Sequence, residues 1–430
     1  MKIINIVPGF GGSFYCGNCL RDSSYVKSLQ ATGHDAITLP IYLPLTLDGD
    51  KQSEFPVFYG AINIYLKQIF PFLRKMPKWM ERFFNSSFLL RYAAKKAGST
   101  RAHGLEEMTL SMLRGHEGYQ SEELQQLIDF LKNEIKPDIV HLSNALLMGL
   151  AGKIKSELGI PIVCSLQDED VWIDAMADDY QEQLWTLLSK KAKDISAFIA
   201  VSQFYADVMQ KKMNIEAEKM TVIHIGIDPD VFEANLPAEN PPVIGFMSRM
   251  NEENGFEVFI DAFIQLKENP QFNNVQIRLS GGMTGDDKAF IQKQVKKLKK
   301  HKLMDDVVFV DEYKEEFHNQ FFKPVTLLSV PVLNGEAFGL YQIESLACGV
   351  PIVQPALGAF PEIIEASKGG VTYTPNTAEA LSGKWAEVLG NPEVLKQMSM
   401  DGRKSVEEKF NSKLLIEKML SIYQTVVNNN

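Results

Sequence analysis

The sequence predicts an α/β protein made of two doubly wound parallel-sheet domains that face a central cleft. Three observations carry this expectation. Short β-branched runs alternate with helical stretches up to about residue 225, the same alternation resumes at Val243, and the proline-rich stretch NLPAENPP at 235–242 separates the two halves. Proline lacks the N–H that a helix interior or a central strand requires, so such a stretch belongs between domains. A chain of 430 residues is long for a single core and suits two domains of about 200 each.

The first domain is expected over 1–236. KIINIVP reads as its first strand, followed by the glycine loop GFGGSFYCGNC, a helix through Leu29 and a second strand, AITLPIY. Further strands fall at 138–142, 161–166, 197–201 and 221–225, each separated by helical stretches that supply the crossovers a parallel sheet needs. The second domain, 243–411, repeats the design with strands at 243–246, 275–280, 307–310, 326–330 and 350–353. A last helix within 412–430 is expected to cross back onto the first domain. Ligands bind beyond the carboxyl ends of parallel strands, so the binding loops of both domains should line the shared cleft.

Composition narrows the function. A formal net charge of -10 offers no basic face for counterion release and argues against nonspecific nucleic-acid binding. The opening residues carry only Lys2 before a short apolar run ending at Pro8-Gly9, which reads as a strand and not a signal peptide. No uncharged stretch is long enough to span a bilayer, and the expected location is the cytoplasm. Cys16, Cys19, Cys164 and Cys348 are too few for a disulfide scaffold. Cys16 and Cys19 lack the second pair, or the spaced histidines, that a zinc site would want, and are expected to pack near a helix start. Against the acidic trend, residues 61–100 hold eight lysines and arginines and only Glu81, interleaved with aromatic residues such as Tyr65, Phe70, Trp79 and Phe83. A helical insertion of this kind either docks on an anionic membrane surface or packs on its own domain.

The most informative segment is GEAFGLYQIESLACGVPIV, in which Glu336 and Glu344 stand eight positions apart. Gly335 to Phe338 read as a turn, 340–348 carry a helical apolar pattern, and Gly349 ahead of Pro351 is a stop signal. The N–H groups of Phe338, Gly339 and Leu340 then lie at a positive helix terminus, with one carboxylate ahead of it and another a turn inside. Backbone donors there suit phosphate oxygens, and carboxylates suit hydroxyl hydrogens. A sugar joined to a nucleotide diphosphate offers both.

This E-x7-E pattern, with FGL, ACGVPIV and GAFPE at 358–362, resembles the donor site of the retaining glycosyltransferases of family 4, which have the GT-B fold of two Rossmann-like domains. The resemblance spans nearly the whole chain and is strongest over about 222–375, while the N-terminal run GGSFYCGNCLRDSSYVKSLQATGHDAITLPIYLPL is similar to a bacterial subgroup of uncharacterised members. It implies that Glu344 holds the ribose hydroxyls, that Glu336 reaches the donor sugar, and that the amides of Phe338, Gly339 and Leu340 meet sugar and phosphate. It likewise implies that Gly11 and Gly12 contact the donor and that Arg249 clamps the diphosphate. Gly282 closes the run Ser280-Gly281-Gly282 after a strand, where it would cradle phosphate or base, or make a plain turn.

Two positions depart from the family. The lysine usually found five residues after the arginine is Asn254, which keeps a neutral amide donor in the clamp, and the histidine usually found after the strand at 161–166 is Gln167. A glutamine hydrogen-bonds a hydroxyl but takes no proton at neutral pH. Enzymes of this class are thought to attack from the leaving-group face, with the leaving phosphate accepting the proton, so a glutamine is tolerable. The residues assigned to catalysis are Glu336, Arg249 and Gln167. Those assigned to the donor are Gly11, Gly12, Asn254, Gly282, Phe338, Gly339, Leu340 and Glu344. No metal or cofactor is expected beyond the nucleotide sugar, and the acceptor is a glycan, a lipid-linked sugar or a small molecule. Asp168, Glu169 and Asp170 form an acidic trio that either orients an acceptor or is a solvated loop, and His141 and His224 are expected to be core histidines held by backbone partners. A sugar-nucleotide epimerase of the same fold and a nucleotide-sugar-binding protein without turnover remain as alternatives.

Overall fold

A computed structural model describes residues 1–9, 17–42, 102, 104–235, 241–310 and 317–430. Gly11, Gly12, Cys16 and the basic segment 61–100 lie outside the described residues. The chain forms two compact units, one holding 1–9, 18–42, 104–223 and 416–430, the other 224–235, 241–310 and 317–415.

The first unit is built on a six-stranded sheet of order β2-β1-β3-β4-β5-β6. Its strands are β1 (Lys2–Val7), β2 (Asp35–Pro40), β3 (Ile139–Leu142), β4 (Ile162–Leu166), β5 (Ala197–Ala200) and β6 (Met220–Val222). Every ladder is parallel. β3, β4 and β5 are buried along their whole length, as strands covered by helices on both faces must be. The chain runs from β1 outward to β2 and then reverses to β3, which puts the switch point between β1 and β3.

The second sheet has the order β12-β11-β10-β7-β8-β9, again wholly parallel. It comprises β7 (Val243–Met247), β8 (Gln276–Ser280), β9 (Val307–Phe309), β10 (Leu327–Leu328), β11 (Ile352–Pro355) and β12 (Gly370–Tyr373). Here the reversal lies between β7 and β10, so the loops leaving those two strands are where a ligand is expected. β10 is shorter than the expected 326–330. The N–H of Val330 is taken by the side-chain oxygen of Gln354 at 3.0 Å, and the ladder ends there. β12 was not anticipated, because GVTY is short, opens on glycine and is mostly half-buried at the sheet edge.

The last helix, Ser412–Asn428, packs with the first unit from Ile416 onward. Its Tyr423 is wholly buried and its hydroxyl bonds His141 Nδ1. Among the described residues no helix is long and apolar enough to cross a membrane.

Candidate active site

In the second unit, two glycine-rich turns lock together to place Glu336. Gly335 has φ 76 and Gly358 has φ 58. A Cβ on Gly358 would lie 2.6 Å from both the nitrogen and the oxygen of Glu336, and one on Gly335 would lie 2.5 Å from Gly358 nitrogen. The backbones therefore touch directly, tied by Ala359 N–H donating to Glu336 O at 2.9 Å. This contact brings GAFPE against GEAFG, two segments that sequence alone could only set side by side as motifs.

Gly339, at φ 81, then starts the helix Leu340–Ala347, and no side chain caps it. The first-turn N–H groups have no acceptor within a helix and carry its positive end. A Cβ at Gly339 would fall 2.8 Å from Glu336 Oε2, 2.8 Å from Gln342 Nε2 and 3.2 Å from Tyr341 Cζ. One acid, one amide and one phenol ring thus close on the same backbone point. Phe338 and Leu340 are buried on either side of it.

Glu344 lies further along the same helix and is only 2% exposed. Its Oε1 stands 3.4 Å from Nδ1 of His318, which is equally buried. His318 escaped the sequence reading because its helix, His318–Phe322, is a short element with no motif around it. Burial, then the nearby charge of Glu344, pushes the Cys348 thiol well above its usual range, so that cysteine is a packed, inert group. His224 is not the core histidine expected. Its side chain is 25% exposed, its Nε2 is 2.8 Å from Glu362 Oε1, and its ring lies 6.0 Å from that of Phe338, beside the candidate site. A strand-end position inside an apolar run concealed this, since the partner comes from a distant helix start.

Arg249 follows β7. Its Nε and Nη2 donate to the two oxygens of Asp287 at 2.8 Å each, and Nη2 also donates to Thr284 Oγ1 at 3.0 Å. Burial pushes the Asp287 carboxyl up, but hydrogen bonds from Arg249, the Thr284 N–H and the Thr284 hydroxyl outweigh it and hold the group below its usual value. Asn254 donates both Nδ2 hydrogens within its own loop, to Ser248 Oγ at 2.9 Å and Arg249 O at 3.0 Å. A Cβ on Gly281 would sit 2.1 Å from Ser248 O, and Met250 N–H donates to Gly282 O at 3.1 Å. The Ser280–Gly282 segment therefore serves as the seat of the Arg249 loop. Asp287 and Thr284 were missed in the sequence, where TGDD reads as an ordinary helix start.

In the first unit, Gln167 is 6% exposed and its Oε1 accepts from Arg21 Nη1 at 2.7 Å. Arg21, buried to 2%, also donates to Ser143 O and to Asp22 Oδ1, both at 2.7 Å, so it spans the carboxyl ends of β3 and β4. Within the acidic trio Asp168 and Asp170 are half-buried, while Glu169 is turned inward. Glu169 is 2% exposed and accepts from Ala145 N–H at 2.8 Å, Gln167 N–H at 2.8 Å and the Tyr205 hydroxyl at 2.7 Å. Burial pushes its carboxyl up, the bonds from Ala145 and Tyr205 pull it back, and it settles at about 7. His141 is a core histidine as expected, but side chains hold it: Nε2 is 2.8 Å from Ser165 Oγ, and burial drives its pKa down to about 3. Among the described residues no three His, Cys, Asp or Glu side chains are gathered as a metal site would require.

Two family models match the chain, Glycosyl transferases group 1 over residues 228–405 and Glycosyltransferase Family 4 over residues 106–231. An uncharacterized glycosyltransferase of Methanocaldococcus jannaschii is 21% identical over 321 residues, 71% of this chain and 80% of its own length. The alpha-maltose-1-phosphate synthase of Mycolicibacterium smegmatis is 24% identical over 327 residues, 70% of this chain and 82% of its own. Among solved structures, a sucrose-phosphate synthase from Thermosynechococcus elongatus matches with TM-score 0.71 at 15% identity, covering 100% of both chains. HepE from Anabaena, in complex with UDP, matches with TM-score 0.69 at 14% identity, covering 99% of this chain and 100% of that one. At such identities the structural likeness establishes the fold.

Proposed function

We propose that this chain, which matches the models Glycosyl transferases group 1 and Glycosyltransferase Family 4 over successive stretches, is a glycosyltransferase that moves a sugar from a nucleotide-diphosphate sugar to a hydroxyl acceptor, with retention of anomeric configuration and without a bound metal. One observation carries this reading: the uncapped start of the helix Leu340–Ala347 at Gly339, with the Glu336 carboxylate against it. Solved relatives of the same fold hold UDP, as the Anabaena protein does.

In this reading the amides of Phe338, Gly339 and Leu340 face the diphosphate, and Glu336 takes hydroxyls of the donor sugar. Glu344 accepts from the ribose. The bond between the anomeric carbon and the phosphate oxygen breaks, negative charge grows on the leaving diphosphate, and the helix terminus together with Arg249 stabilises it. The leaving phosphate takes the acceptor's proton. Gln167 has no proton chemistry to offer; held by Arg21, it presents a fixed amide on the acceptor side.

The test is released nucleotide from a panel of UDP-, GDP- and ADP-sugars with simple acceptors, with and without EDTA, and product NMR. Turnover that survives chelation and gives an α product from an α donor supports the reading. Loss on chelation with recovery in Mn²⁺, or an inverted product, overturns its finer part. A second reading, a nucleotide-sugar-binding protein, is favoured by Arg249 and Asn254 both being engaged inside their own loops; tight binding of donors without turnover would establish it. Of the trio Asp168, Glu169 and Asp170 that a sugar-nucleotide epimerase would draw on, Glu169 is turned inward among three donors, which leaves that alternative only the two half-buried aspartates.

A further inference from the structure

Gln342 is wholly buried, in a helix, Leu340–Ala347, whose residues are all buried. Its backbone N–H donates to Gly339 O at 3.0 Å, and its side-chain Nε2 donates to Phe338 O at 2.6 Å. Its Oε1 is buried with no hydrogen-bond partner among the described residues. The amide cannot be turned round, since that would set Oε1 against the Phe338 carbonyl.

The geometry points to Gln342 as a positioning residue that fixes the Phe338–Gly339 peptide so that the Gly339 N–H faces the donor diphosphate. This rests on the donor reading above and deepens it. The cis peptide of the described chain is Thr374–Pro375, and the Phe338–Gly339 bond is trans. In a trans peptide the C=O and N–H point in opposite directions. Drawing the Phe338 carbonyl toward the Gln342 amide therefore turns the Gly339 N–H the other way. Something must hold that orientation, because rotating this peptide by half a turn would carry Gly339 from φ 81 to the negative side, and glycine accepts both. Gly339 is required for a different reason as well: a Cβ there would strike Gln342 Nε2 and Glu336 Oε2, each 2.8 Å away.

The unpartnered Oε1 separates this role from a structural one. A buried acceptor left unmatched is destabilising, whereas an apolar group of the same shape is not. Leucine at 342 removes the unmatched Oε1 but leaves the Phe338 carbonyl without its donor, so the two changes offset and the fold should be about as stable as with glutamine. What it removes is the bond to the Phe338 carbonyl.

The experiment compares wild type with Gln342→Leu, Gln342→Met and the isosteric Gln342→Glu. Each is titrated with UDP, GDP and ADP and with the matching monophosphates, and the melting temperature is measured. The expected result is a loss of about 10-fold or more in affinity for the preferred diphosphate. Monophosphate affinity should change less than about 3-fold, because an amide at the helix start serves the distal phosphate. The melting temperature of the leucine and methionine variants should change little. Turnover should fall through kcat as well as KM, since the same N–H meets the charge that grows on the leaving group. Diphosphate affinity within about 2-fold of wild type in the leucine variant, or equal loss of both ligands with a lower melting temperature, overturns the inference. If wild type binds no nucleotide, the donor reading fails by itself, and the Gln342 role is then decided on the free protein. The ¹⁵N–¹H resonance and exchange rate of Gly339 must differ between wild type and Gln342→Leu, and identical signals would refute it.

Discussion

Glu169→Gln decides between two forces that act on one buried carboxyl. Burial favours the protonated form, while three donors, Ala145 N–H, Gln167 N–H and the Tyr205 hydroxyl, are aimed at the ionised form. A carboxyl raised from 4.5 to about 7 in the fold binds its proton more tightly than in the unfolded chain. Its contribution is therefore complete below pH 4.5 and is lost as pH rises through about 7, at about 1.36 kcal/mol for each pKa unit, or about 3 kcal/mol in all. The glutamine variant cannot ionise and lacks this loss. It replaces one carboxylate oxygen by an NH2 that must face a donor, which costs about 1–3 kcal/mol at every pH.

The difference in stability, wild type minus variant, should thus be positive near pH 5 and shrink by about 3 kcal/mol toward pH 8. Urea unfolding at a series of pH values, followed at the first unit by pulsed hydrogen exchange on the peptide 162–173, reads it directly. A difference that stays flat, or grows with pH, refutes the reasoning. It would mean that the three donors keep Glu169 ionised throughout and that burial is the weaker force.

Other predictions bear on the donor site and its surroundings. Glu344→Ala should weaken nucleoside-diphosphate binding by about 1.5–3 kcal/mol, the worth of hydrogen bonds to a charged group, in titration calorimetry; equal affinity of wild type for the 2′,3′-dideoxy analogue would remove Glu344 from the site. Asn254→Lys breaks the ties to Ser248 Oγ and Arg249 O, so it should lower thermal stability by about 1–2 kcal/mol and leave turnover unchanged or reduced, whereas Arg249→Ala should nearly abolish it. A rise in turnover with the lysine would restore the view of position 254 as a weakened clamp. If 61–100 meets anionic lipid, sedimentation with phosphatidylglycerol vesicles should increase with lipid charge, fall with salt, and vanish when Lys75, Lys78 and Arg82 are changed together to Gln. Absence of binding at low salt leaves the packing alternative.

Much of the fold was legible because parallel strands covered on both faces must be largely apolar runs, and those runs are plain in β3, β4 and β7. β12 was illegible for the opposite reason, as a half-buried edge strand carries no such run. The Gly339 helix start was legible because glycine, turn and helix follow one another along the chain. Whatever depends on partners distant in sequence was not. Asp287 lies 38 positions from the arginine it holds, Glu362 lies 138 from His224, and Tyr423 lies 282 from His141. Glu169 misled because an acidic run reads as solvent-facing, and only the packing of Tyr205 over it shows otherwise.

In the proposed donor reading, Asn254 and Arg249 together shift where the donor's charge must be met. Position 254 is asparagine and adds no cation beside Arg249, and the structure pairs that arginine with Asp287 through two bonds of 2.8 Å. An ion pair so close presents less net charge to a third group than a free guanidinium would. Among the described residues around the helix start, the backbone supplies the rest, with the equivalent of about half a positive charge concentrated on N–H groups of the first turn. Such a source needs no side chain and cannot be lost to a substitution at position 254. It depends instead on peptide orientation, which is why a glutamine tied to the Phe338 carbonyl matters more here than a second lysine would. Paired changes separate the two supplies. If the helix terminus dominates, Gln342→Leu should weaken diphosphate binding more than Asp287→Asn strengthens it by freeing Arg249, and the double variant should stay weaker than wild type. A double variant as tight as wild type would assign the charge to the arginine.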